Sequence, residues 1–260
     1  MSKKRVLFEK MHGAGNDFIL IDNRNQNFIP DTVNIQNLAN RHTGIGFDQL
    51  LLILDSDVAD CDAAYRFFNP DGSEAEQCGN GQRCISRYLY DKNPNKNQFN
   101  VSGLAGIIGS QINDDGSVTI NMGGIRSIDE QIILKQTCFQ VDFGNPHLIH
   151  IVDDTDTSNL NDLKLKFTKK HTNGINFEIA EILDDKSIKL RVYERGTGET
   201  QACGSGACAT VAALQYAKKL TDKVKVILPG GTLMVEYNHN DNNLYLTGPT
   251  AYVFNGEFLI

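Results

Sequence analysis

Tryptophan is absent from this 260-residue chain, proline is scarce at six residues, and long apolar runs are missing. No stretch approaches the ~20 consecutive apolar residues of a membrane-spanning helix, so we expect no membrane partner. Near the start, only three apolar residues separate the basic cluster Lys3-Lys4-Arg5 from Glu9. A signal-peptide core has ~7–15 apolar residues. The sequence therefore predicts a soluble protein of the cytoplasm.

Basic residues are the minority among the charged ones, since 25 Lys and Arg stand against 32 Asp and Glu, for a net charge of −7. No basic run exceeds the cluster at residues 3–5. Nucleic acid is therefore not an expected partner. Apolar residues make up 40% of the chain. This composition excludes disordered and collagen-like classes, and the length suits one large domain or two small ones.

The C-x-x-C spacing is also absent, although the chain has six cysteines, at positions 61, 78, 84, 138, 203 and 208. Redox motifs and zinc ribbons need that spacing, so we expect no metal site. Disulfides are not expected in a cytoplasmic chain of this size. For Cys61, Cys84, Cys138 and Cys208 the expected role is that of a small buried apolar side chain.

The chain contains an internal repeat. Residues 66–81 align without a gap on residues 191–206, and the alignment places Cys78 on Cys203 at an offset of 125. Two shorter matches follow in the same order: Gly15-Asn16 with Gly144-Asn145, and residues 44–48 with residues 174–178. Three matches at nearly constant offset predict the duplication of a unit of roughly 125 residues.

The local patterns predict similar elements in both halves. Strands are predicted at 18–21, 50–54, 64–68, 148–152, 177–180 and 188–193, with a hairpin from 224 to 237. Helices are predicted from Asp31 as the N-cap through 40, from 79 to 90, and from 207 to 220. Residues 113–116 read as a turn and as the seam between the halves.

Each half places a Cys-Gly-x-Gly motif between a strand and a predicted helix. A helix N-terminus carries partial positive charge, which favours a bound carboxylate and an ionised cysteine. A plain capping turn with a buried cysteine is the structural alternative. Two equivalent thiols suit racemisation or epimerisation, because one group removes the Cα proton from one face and the other returns a proton to the opposite face. A nucleophilic hydrolase needs only one.

At these residues the chain resembles the diaminopimelate epimerase family. The resemblance covers nearly the whole chain and rests on six motifs: residues 11–18, 41–49, 71–84, 144–147, 194–208 and 230–231. It implies epimerisation of L,L-diaminopimelate to meso-diaminopimelate without a cofactor, within lysine and peptidoglycan precursor synthesis. It also implies a homodimer.

The resemblance implies a role for each motif residue. Cys78 and Cys203 are the implied acid/base pair, and His147 and Glu194 are implied to lie near a thiol and tune it. The substrate-binding residues implied are Asn16, Gln49, Asn69, Gly79, Asn80, Asn145, Asn176, Glu194, Arg195, Gly204 and Ser205. Arg195 suits the distal carboxylate, which a guanidinium holds with two hydrogen bonds. On residue type alone, Asn16 and Asn69 also read as turn residues, and His147 as a structural polar residue.

The implied fold is of the α+β type, with two pseudo-symmetric α/β lobes. Each lobe is a mixed, largely antiparallel sheet wrapped around a central helix, and the implied active site lies between the lobes. We place one lobe at 1–116, joined by about 248–260, and the other at 117–247. Three positions depart from the family pattern. Ser205 and Thr197 replace residues common there, and Phe254 replaces a tyrosine at the implied dimer contact.

Three alternatives remain open on sequence grounds. A racemase of proline, hydroxyproline or histidine on the same fold would not need Arg195 as a distal clamp. A thiol redox switch needs only two accessible cysteines, and an amino-acid-binding protein needs no ionisable thiol. The switch gives no reason for the duplicated Glu-x3-Cys-Gly-x-Gly frame or the asparagine set, and the binding protein gives no reason for two ionisable thiols.

Overall fold

The computed structural model describes residues 4–259. The chain divides into two compact units. Unit 1 comprises residues 1–120 and 249–260, and unit 2 comprises residues 121–248. Lys3 of the basic cluster, and the outermost residues of the predicted first lobe, lie outside the described part. No helix within residues 4–259 is long and apolar enough to cross a membrane.

Eighteen strands and four α-helices follow one another within residues 4–259. The first part contains β1 (Arg5–Gly13), β2 (Asn16–Asp22), α1 (Thr32–Ala39), β3 (Gln49–Leu54), β4 (Ala63–Phe68), β5 (Glu74–Ala75), α2 (Gly79–Lys92), β6 (Gln98–Gly103), β7 (Gly106–Ile112) and β8 (Val118–Gly123). The second contains β9 (Ser127–Ile133), β10 (Gln136–Asp142), β11 (Pro146–Ile151), α3 (Leu160–Phe167), β12 (Asn176–Asp184), β13 (Ser187–Glu194), β14 (Gly198–Thr200), α4 (Gly204–Tyr216), β15 (Lys223–Leu228), β16 (Gly231–Asn238), β17 (Asn243–Gly248) and β18 (Ala251–Leu259). A 3₁₀ turn, Asn23–Asn25, follows β2.

The two units have the same strand order. In unit 1, neighbouring strands run β18-β1-β2-β3-β4-β6-β7-β8, with β5 beside β4. In unit 2 they run β9-β10-β11-β12-β13-β15-β16-β17, with β14 beside β13. The parallel pairs are β2–β3 and β4–β6 in unit 1, and β11–β12 and β13–β15 in unit 2. All other pairs named are antiparallel, so the predicted duplication and fold class are confirmed.

Each sheet surrounds a buried helix. Helix α2 packs on β1, β2, β3 and β7, and α4 packs on β10, β11, β12, β16 and β17. The opposite face of each sheet carries an apolar cluster under the shorter helix. In unit 1 it includes Ile19, Ile21 and Ile35, and in unit 2 it includes Leu148, Phe177 and Leu160. Because side chains alternate along a strand, the intervening residues of β2, β11 and β12 face the central helix. The predicted site residues of these strands, described below, therefore lie on the face toward the central helix.

The third match of the sequence repeat has the wrong register. It aligned Glu178 with Asp48, but the strand pairing aligns Asn176 with Gln49, because Gln49 pairs with Phe18 on β2 and Asn176 pairs with His147 on β11. Glu178 therefore corresponds to Leu51. A five-residue match between a segment before β3 and a segment that runs into β12 does not fix register, whereas hydrogen-bonded pairing does.

The third predicted helix also differs from the structure. It was expected from 207 to 220, whereas α4 begins at Gly204 and ends at Tyr216. Lys218 has a φ of 55°, in the left-handed region, which ends the helix before Leu220. The predicted N-cap of α1 is confirmed, since the Asp31 side chain accepts a hydrogen bond from the Asn34 N–H.

Candidate active site

Cys78 and Cys203 cap the two central helices. Each has extended backbone and is the N-cap residue, with φ and ψ of −144° and 110° for Cys78 and −121° and 116° for Cys203. Each Sγ accepts a hydrogen bond from the backbone N–H three residues on, Gly81 or Gly206, at 3.4 Å. A thiolate at this position would be stabilised by the same N–H group and by the helix dipole.

The second glycine of each motif lets the helix approach the sheet. A Cβ on Gly81 would lie 3.0 Å from Leu51 Cδ2, and one on Gly206 would lie 2.9 Å from Glu178 Oε1. A side chain at either position would force the cysteine-bearing turn away from the strand beneath it. The Cys-Gly-x-Gly spacing is therefore set by packing as well as by N–H donors.

Asn16 is the hydrogen-bond partner of the Cys78 thiol. Cys78 Sγ donates to Asn16 Oδ1 at 3.6 Å, and Asn80 Nδ2 donates to the same oxygen at 3.2 Å. Asn16 Nδ2 in turn donates to Asp48 Oδ2 at 2.8 Å. A carboxylate only accepts, so this bond fixes the Asn16 amide with its oxygen toward the thiol.

A charged network holds Asp48 and its neighbour Asp17. Arg41 donates to Asp17 Oδ1 at 2.6 Å and to Asp48 Oδ1 at 2.8 Å, and Lys10 donates to Asp17 Oδ2 at 2.5 Å. Burial alone would raise the pKa of Asp17, but the hydrogen bonds and charges of Arg41 and Lys10 outweigh it and lower the pKa to about 2. Asp17 is therefore ionised at any physiological pH.

Arg83 fixes the orientation of Asn80. Its side chain is fully buried, and Nη2 donates to Asn80 Oδ1 at 2.9 Å. Because a guanidinium only donates, the Asn80 NH2 group must point the other way, toward Asn16. Arg83 lies within the motif at residues 71–84, and nothing in the sequence indicated this contact.

Gln49 and Asn69 lie together in unit 1. Gln49 Nε2 donates to Asn69 Oδ1 at 3.0 Å, and Asn69 Nδ2 donates to Ser73 Oγ at 3.1 Å. Asn69 also accepts at its carbonyl from the Gly72 N–H at 2.9 Å, in a turn where Gly72 has a φ of 85°. The alternative reading of Asn69 as a turn residue therefore describes its backbone, while its side chain contacts Gln49.

The Cys203 thiol is buried beside Glu194 and Ser205. Ser205 Oγ lies 3.4 Å from Cys203 Sγ, and Thr200 Oγ1 donates to Glu194 Oε1 at 2.5 Å. Burial raises the pKa of Cys203 well above its usual value, and the negative charge of Glu194 adds to the effect. Burial also raises the pKa of Glu194, against the lowering effect of the Thr200 hydrogen bond. The resting thiol is therefore protonated.

His147 is fully buried between two oxygen atoms. Its Nδ1 lies 2.7 Å from Glu178 Oε1, and its Nε2 lies 2.9 Å from Asn145 Oδ1. Asn145 Nδ2 lies 3.4 Å from Ser205 Oγ. A continuous line of polar contacts therefore connects Glu178 to Cys203.

Asn176 and Arg195 meet through the backbone. Asn176 Oδ1 accepts from the Arg195 N–H at 2.8 Å, and Asn176 Nδ2 donates to the Pro146 carbonyl at 3.2 Å. The Arg195 side chain is exposed, and its stem lies over Gly174, whose φ is 75°. Asn176 thus stabilises the turn on which Arg195 lies.

The remaining predicted residues form the first turns of the central helices. Gly79 and Asn80 open α2, and Gly204 and Ser205 open α4. The first four N–H groups of an α-helix have no partner inside the helix, so they suit a bound carboxylate. None of the six cysteines, all within residues 4–259, is in a disulfide; Cys84, Cys138 and Cys208 are buried and Cys61 is half-buried. Within residues 4–259, no group of three or more His, Cys, Asp or Glu side chains is arranged to hold a metal ion.

Glu178 and Asp48 were missed as site residues in the sequence. The repeat match placed them opposite each other, which hid that Glu178 lies on a strand while Asp48 precedes one. Glu178 could have been found as an acidic residue at a strand position that faces the central helix. The equivalent position in unit 1 has the apolar residue Leu51.

Solved structures share this duplicated fold. A phenazine biosynthesis protein of the PhzF family from Bacillus anthracis superposes with a TM-score of 0.75, at 18% identity, over 99% of this chain and 100% of that one. A hydroxyproline epimerase from Agrobacterium vitis superposes with a TM-score of 0.73, at 14% identity, over 98% of this chain and 93% of that one. The fold thus defines a class of two-unit α+β proteins.

Sequence comparison gives the family within that class. The family model for diaminopimelate epimerase matches residues 8–128 and 139–253. The diaminopimelate epimerase of Acinetobacter baumannii is 38% identical over 270 aligned positions, which cover 96% of each chain. The chain therefore belongs to the diaminopimelate epimerase family and is an isomerase of the epimerase type, as its motifs indicated.

Proposed function

We propose that the protein converts L,L-diaminopimelate to meso-diaminopimelate with two cysteine acid/base groups and no cofactor. One observation carries the proposal: Cys78 and Cys203 cap equivalent helices of duplicated units, each with its Sγ 3.4 Å from a helix N–H. Each thiol also has a hydrogen-bond acceptor for its proton, Asn16 for Cys78 and Glu194 for Cys203. A two-base reaction needs this pair of groups, because the proton leaves one face of Cα and returns to the other.

In the proposed step, a thiolate takes the Cα proton and the Cα–H bonding electrons move onto the carbon and its carboxylate. The opposite thiol then donates its proton to the other face of the carbon. The electrons of the broken S–H bond stay on the sulfur, which becomes a thiolate. The backbone N–H groups of Gly79, Asn80, Gly204 and Ser205 are proposed to hold the reacting carboxylate. Donors arranged in advance around the developing charge supply much of the rate enhancement in such reactions.

Glu194 is proposed as the base that deprotonates Cys203. Its carboxyl group is buried beside the thiol, and burial raises its pKa, which makes the carboxylate a stronger base. Cys78 donates to the side-chain amide oxygen of Asn16, which also accepts from Asn80. We therefore propose that the helix N-terminus and Asn16 tune the acidity of Cys78. Glu194 and the polar contacts that run from His147 to Cys203 are proposed to tune the acidity of Cys203.

The other amino-acid end of the substrate is proposed to bind fixed polar groups. Arg195 is the proposed clamp for the distal carboxylate, supported by its exposed guanidinium and by the Asn176 bond that holds its backbone. Gln49 and Asn69 are proposed to contact the substrate with their remaining hydrogen-bonding capacity. Asn145 is proposed to contact the reacting end beside Ser205.

The proposal extends to the setting of the enzyme. We propose a cytoplasmic location and a role in lysine and peptidoglycan precursor synthesis, in keeping with the family. A homodimer is proposed through β18, which exposes apolar side chains including Tyr252, Val253 and Phe254. Phe254 packs edge-on against Phe8, with ring centroids 5.9 Å apart. No nucleic-acid or membrane partner is proposed, given the net charge of −7.

Proton NMR of the reduced protein in D2O tests the proposal, with L,L-diaminopimelate, proline and histidine in parallel tubes. We expect the Cα proton signal of diaminopimelate alone to decay while the meso isomer appears. Exchange of proline or histidine alone would favour the alternative racemase on the same fold. The absence of exchange with all three would overturn the catalytic proposal.

A further inference from the structure

Glu178 is a buried carboxyl group at the candidate site that the proposed chemistry does not use. Its side chain is fully buried on β12, on the face toward α4. Oε1 lies 2.7 Å from His147 Nδ1, while Oε2 is buried with no hydrogen-bond partner within the described residues. An ionised carboxylate in such a place is costly unless a positive partner compensates for it. His147 is the partner that the geometry provides.

Both nitrogens of His147 face oxygen acceptors. A carboxylate oxygen lies at Nδ1, and the Asn145 carbonyl oxygen lies 2.9 Å from Nε2. A neutral imidazole has only one N–H, so two acceptors call for the doubly protonated ring. In this state the Asn145 NH2 group points to Ser205 Oγ, at 3.4 Å, and Ser205 Oγ lies 3.4 Å from Cys203 Sγ.

Unit 1 shows that the fold does not need this pair. The residues equivalent to His147 and Glu178 are Phe18 and Leu51, which pack under Gly81 as Glu178 packs under Gly206. An apolar pair therefore fills the same space in the same sheet. The polar pair costs stability relative to an apolar one, so its presence in unit 2 points to a task at Cys203.

We propose that Glu178 is a positioning residue, which holds His147 as an imidazolium and thereby keeps the Asn145 NH2 group turned toward Ser205 and the substrate. This inference rests on the proposed function. The charged groups facing His147 are Glu178 from β12 and Glu194 at the end of β13, with Cys203 at the start of α4. The imidazolium offsets the Glu178 charge, which otherwise opposes ionisation of both Glu194 and Cys203. Without that charge, the Asn145 amide would turn its NH2 group to Nε2.

Nitrogen-15 NMR of the imidazole rings in the full chain tests the proposal at pH 7.5. The variant His147→Gln identifies the His147 signals by their loss. We expect both His147 nitrogens of the unmodified protein to give imidazolium-type signals. In Glu178→Gln, an isosteric change that removes the charge, we expect one protonated and one unprotonated nitrogen, with kcat/KM for diaminopimelate lowered at least tenfold.

Glu181→Gln is the matched control. Glu181 lies on the same strand and its carboxylate accepts from Thr155 Oγ1 and N–H, both at 3.0 Å, away from Cys203. We expect this variant to keep the imidazolium signals and its activity. A neutral His147 in the unmodified protein would overturn the proposal even if Glu178→Gln does not fold. So would imidazolium signals and full activity in Glu178→Gln. The ring signals do not depend on turnover, so failure of epimerisation would count against the proposed function alone.

Discussion

Phe18 and His147 occupy the same position in two equivalent strands. Phe18 pairs with Gln49 across the parallel β2–β3 pair, and His147 pairs with Asn176 across β11–β12. Leu51 lies two residues after Gln49 on β3, and Glu178 lies two residues after Asn176 on β12. The duplication has thus preserved the backbone around each cysteine while the side chains beneath it have diverged. An apolar pair lies under the helix of Cys78, and an ionisable pair lies under the helix of Cys203.

This divergence makes the two thiols chemically unequal. Cys78 is half-buried and donates to the Asn16 amide oxygen, whereas Cys203 is buried beside two carboxyl groups. In the proposed reaction, the two stereoisomers of the substrate differ in which thiol removes the proton. We therefore expect kcat, but not kcat/KM, to depend differently on pH in the forward and reverse directions, because the ratio of the two kcat/KM values is fixed by the equilibrium constant.

Replacing either capping cysteine with serine is predicted to abolish epimerisation. A hydroxyl group is a far weaker acid than a thiol, so Cys78→Ser and Cys203→Ser should each lower kcat by about 10²–10⁴-fold. Both variants should fold, because serine is close in size and can still cap the helix. The measurement is meso-diaminopimelate formation, with far-UV circular dichroism to check the fold.

Cys61→Ser provides the matched control for the cysteine variants. Cys61 is a half-buried free thiol in the segment before β4, away from both central helices. This change should leave turnover within about twofold of the unmodified protein. Near-normal turnover in either capping variant would contradict the two-thiol mechanism.

Much of the fold could be predicted from the sequence because its signals are local. Alternation and apolar runs marked β2, β3 and β4 and their equivalents, and Asp31 marked the start of α1. The Cys-Gly-x-Gly motif marked the start of α2 for the same reason, since a cap is a property of four consecutive residues, whereas α4 begins three residues before its predicted start. The end of α4 was missed because Lys218 adopts a φ of 55° without being glycine.

The supporting residues of the site could not be predicted because they depend on strand register. Asp48 holds Asn16 across 32 positions of sequence, and Glu178 holds His147 across 31. No periodicity signals such a contact, which exists only once parallel strands are paired. The short repeat match aligned these two acidic residues with each other and so concealed Glu178.

Asp17→Asn is predicted to destabilise unit 1 in a pH-dependent way. The pKa of Asp17 is about 2 in the folded protein, against an ordinary value of 3.8. The ionised group therefore stabilises the fold above pH 3.8, and this contribution is lost as the pH falls toward 2. Urea unfolding at pH 7 should show a loss of about 1–2 kcal/mol.

The same comparison at pH 3 separates ionisation from other effects of the substitution. The difference in free energy of unfolding between Asp17→Asn and the unmodified protein should shrink there. At pH 3, below the ordinary pKa of an aspartate, part of the stabilisation from ionised Asp17 is already lost. Asp129→Asn, at an exposed position of β9, should show little loss at either pH. A deficit for Asp17→Asn that does not change with pH would contradict the assignment to the Lys10 and Arg41 network.

Arg195→Lys is predicted to raise KM for diaminopimelate more than it lowers kcat. Lysine keeps the charge but loses the two parallel hydrogen bonds that a guanidinium gives a carboxylate. Loss of a charge-assisted hydrogen bond corresponds to roughly a 10–100-fold rise in KM. Arg87→Lys, at a half-buried position of α2 where Arg87 forms an ion pair with Asp91, is the control and should leave KM unchanged. An unchanged KM in Arg195→Lys would favour a monocarboxylate substrate.

Glu194→Gln is predicted to separate activity from stability. Burial and the Glu178 charge raise the pKa of Glu194 above its ordinary value of 4.5, despite the Thr200 hydrogen bond. A carboxyl group with a raised pKa stabilises the folded state below its unfolded pKa and loses that contribution as the pH rises through its folded pKa. Glutamine is neutral throughout. At pH 8 the variant should therefore have a Tm at least as high as that of the unmodified protein, and this difference in Tm should shrink toward pH 4.5.

The kcat of Glu194→Gln should nonetheless fall by about 10²-fold or more, because Cys203 loses its base. A lower Tm at pH 8 with retained activity would show that Glu194 supports the fold and not the reaction.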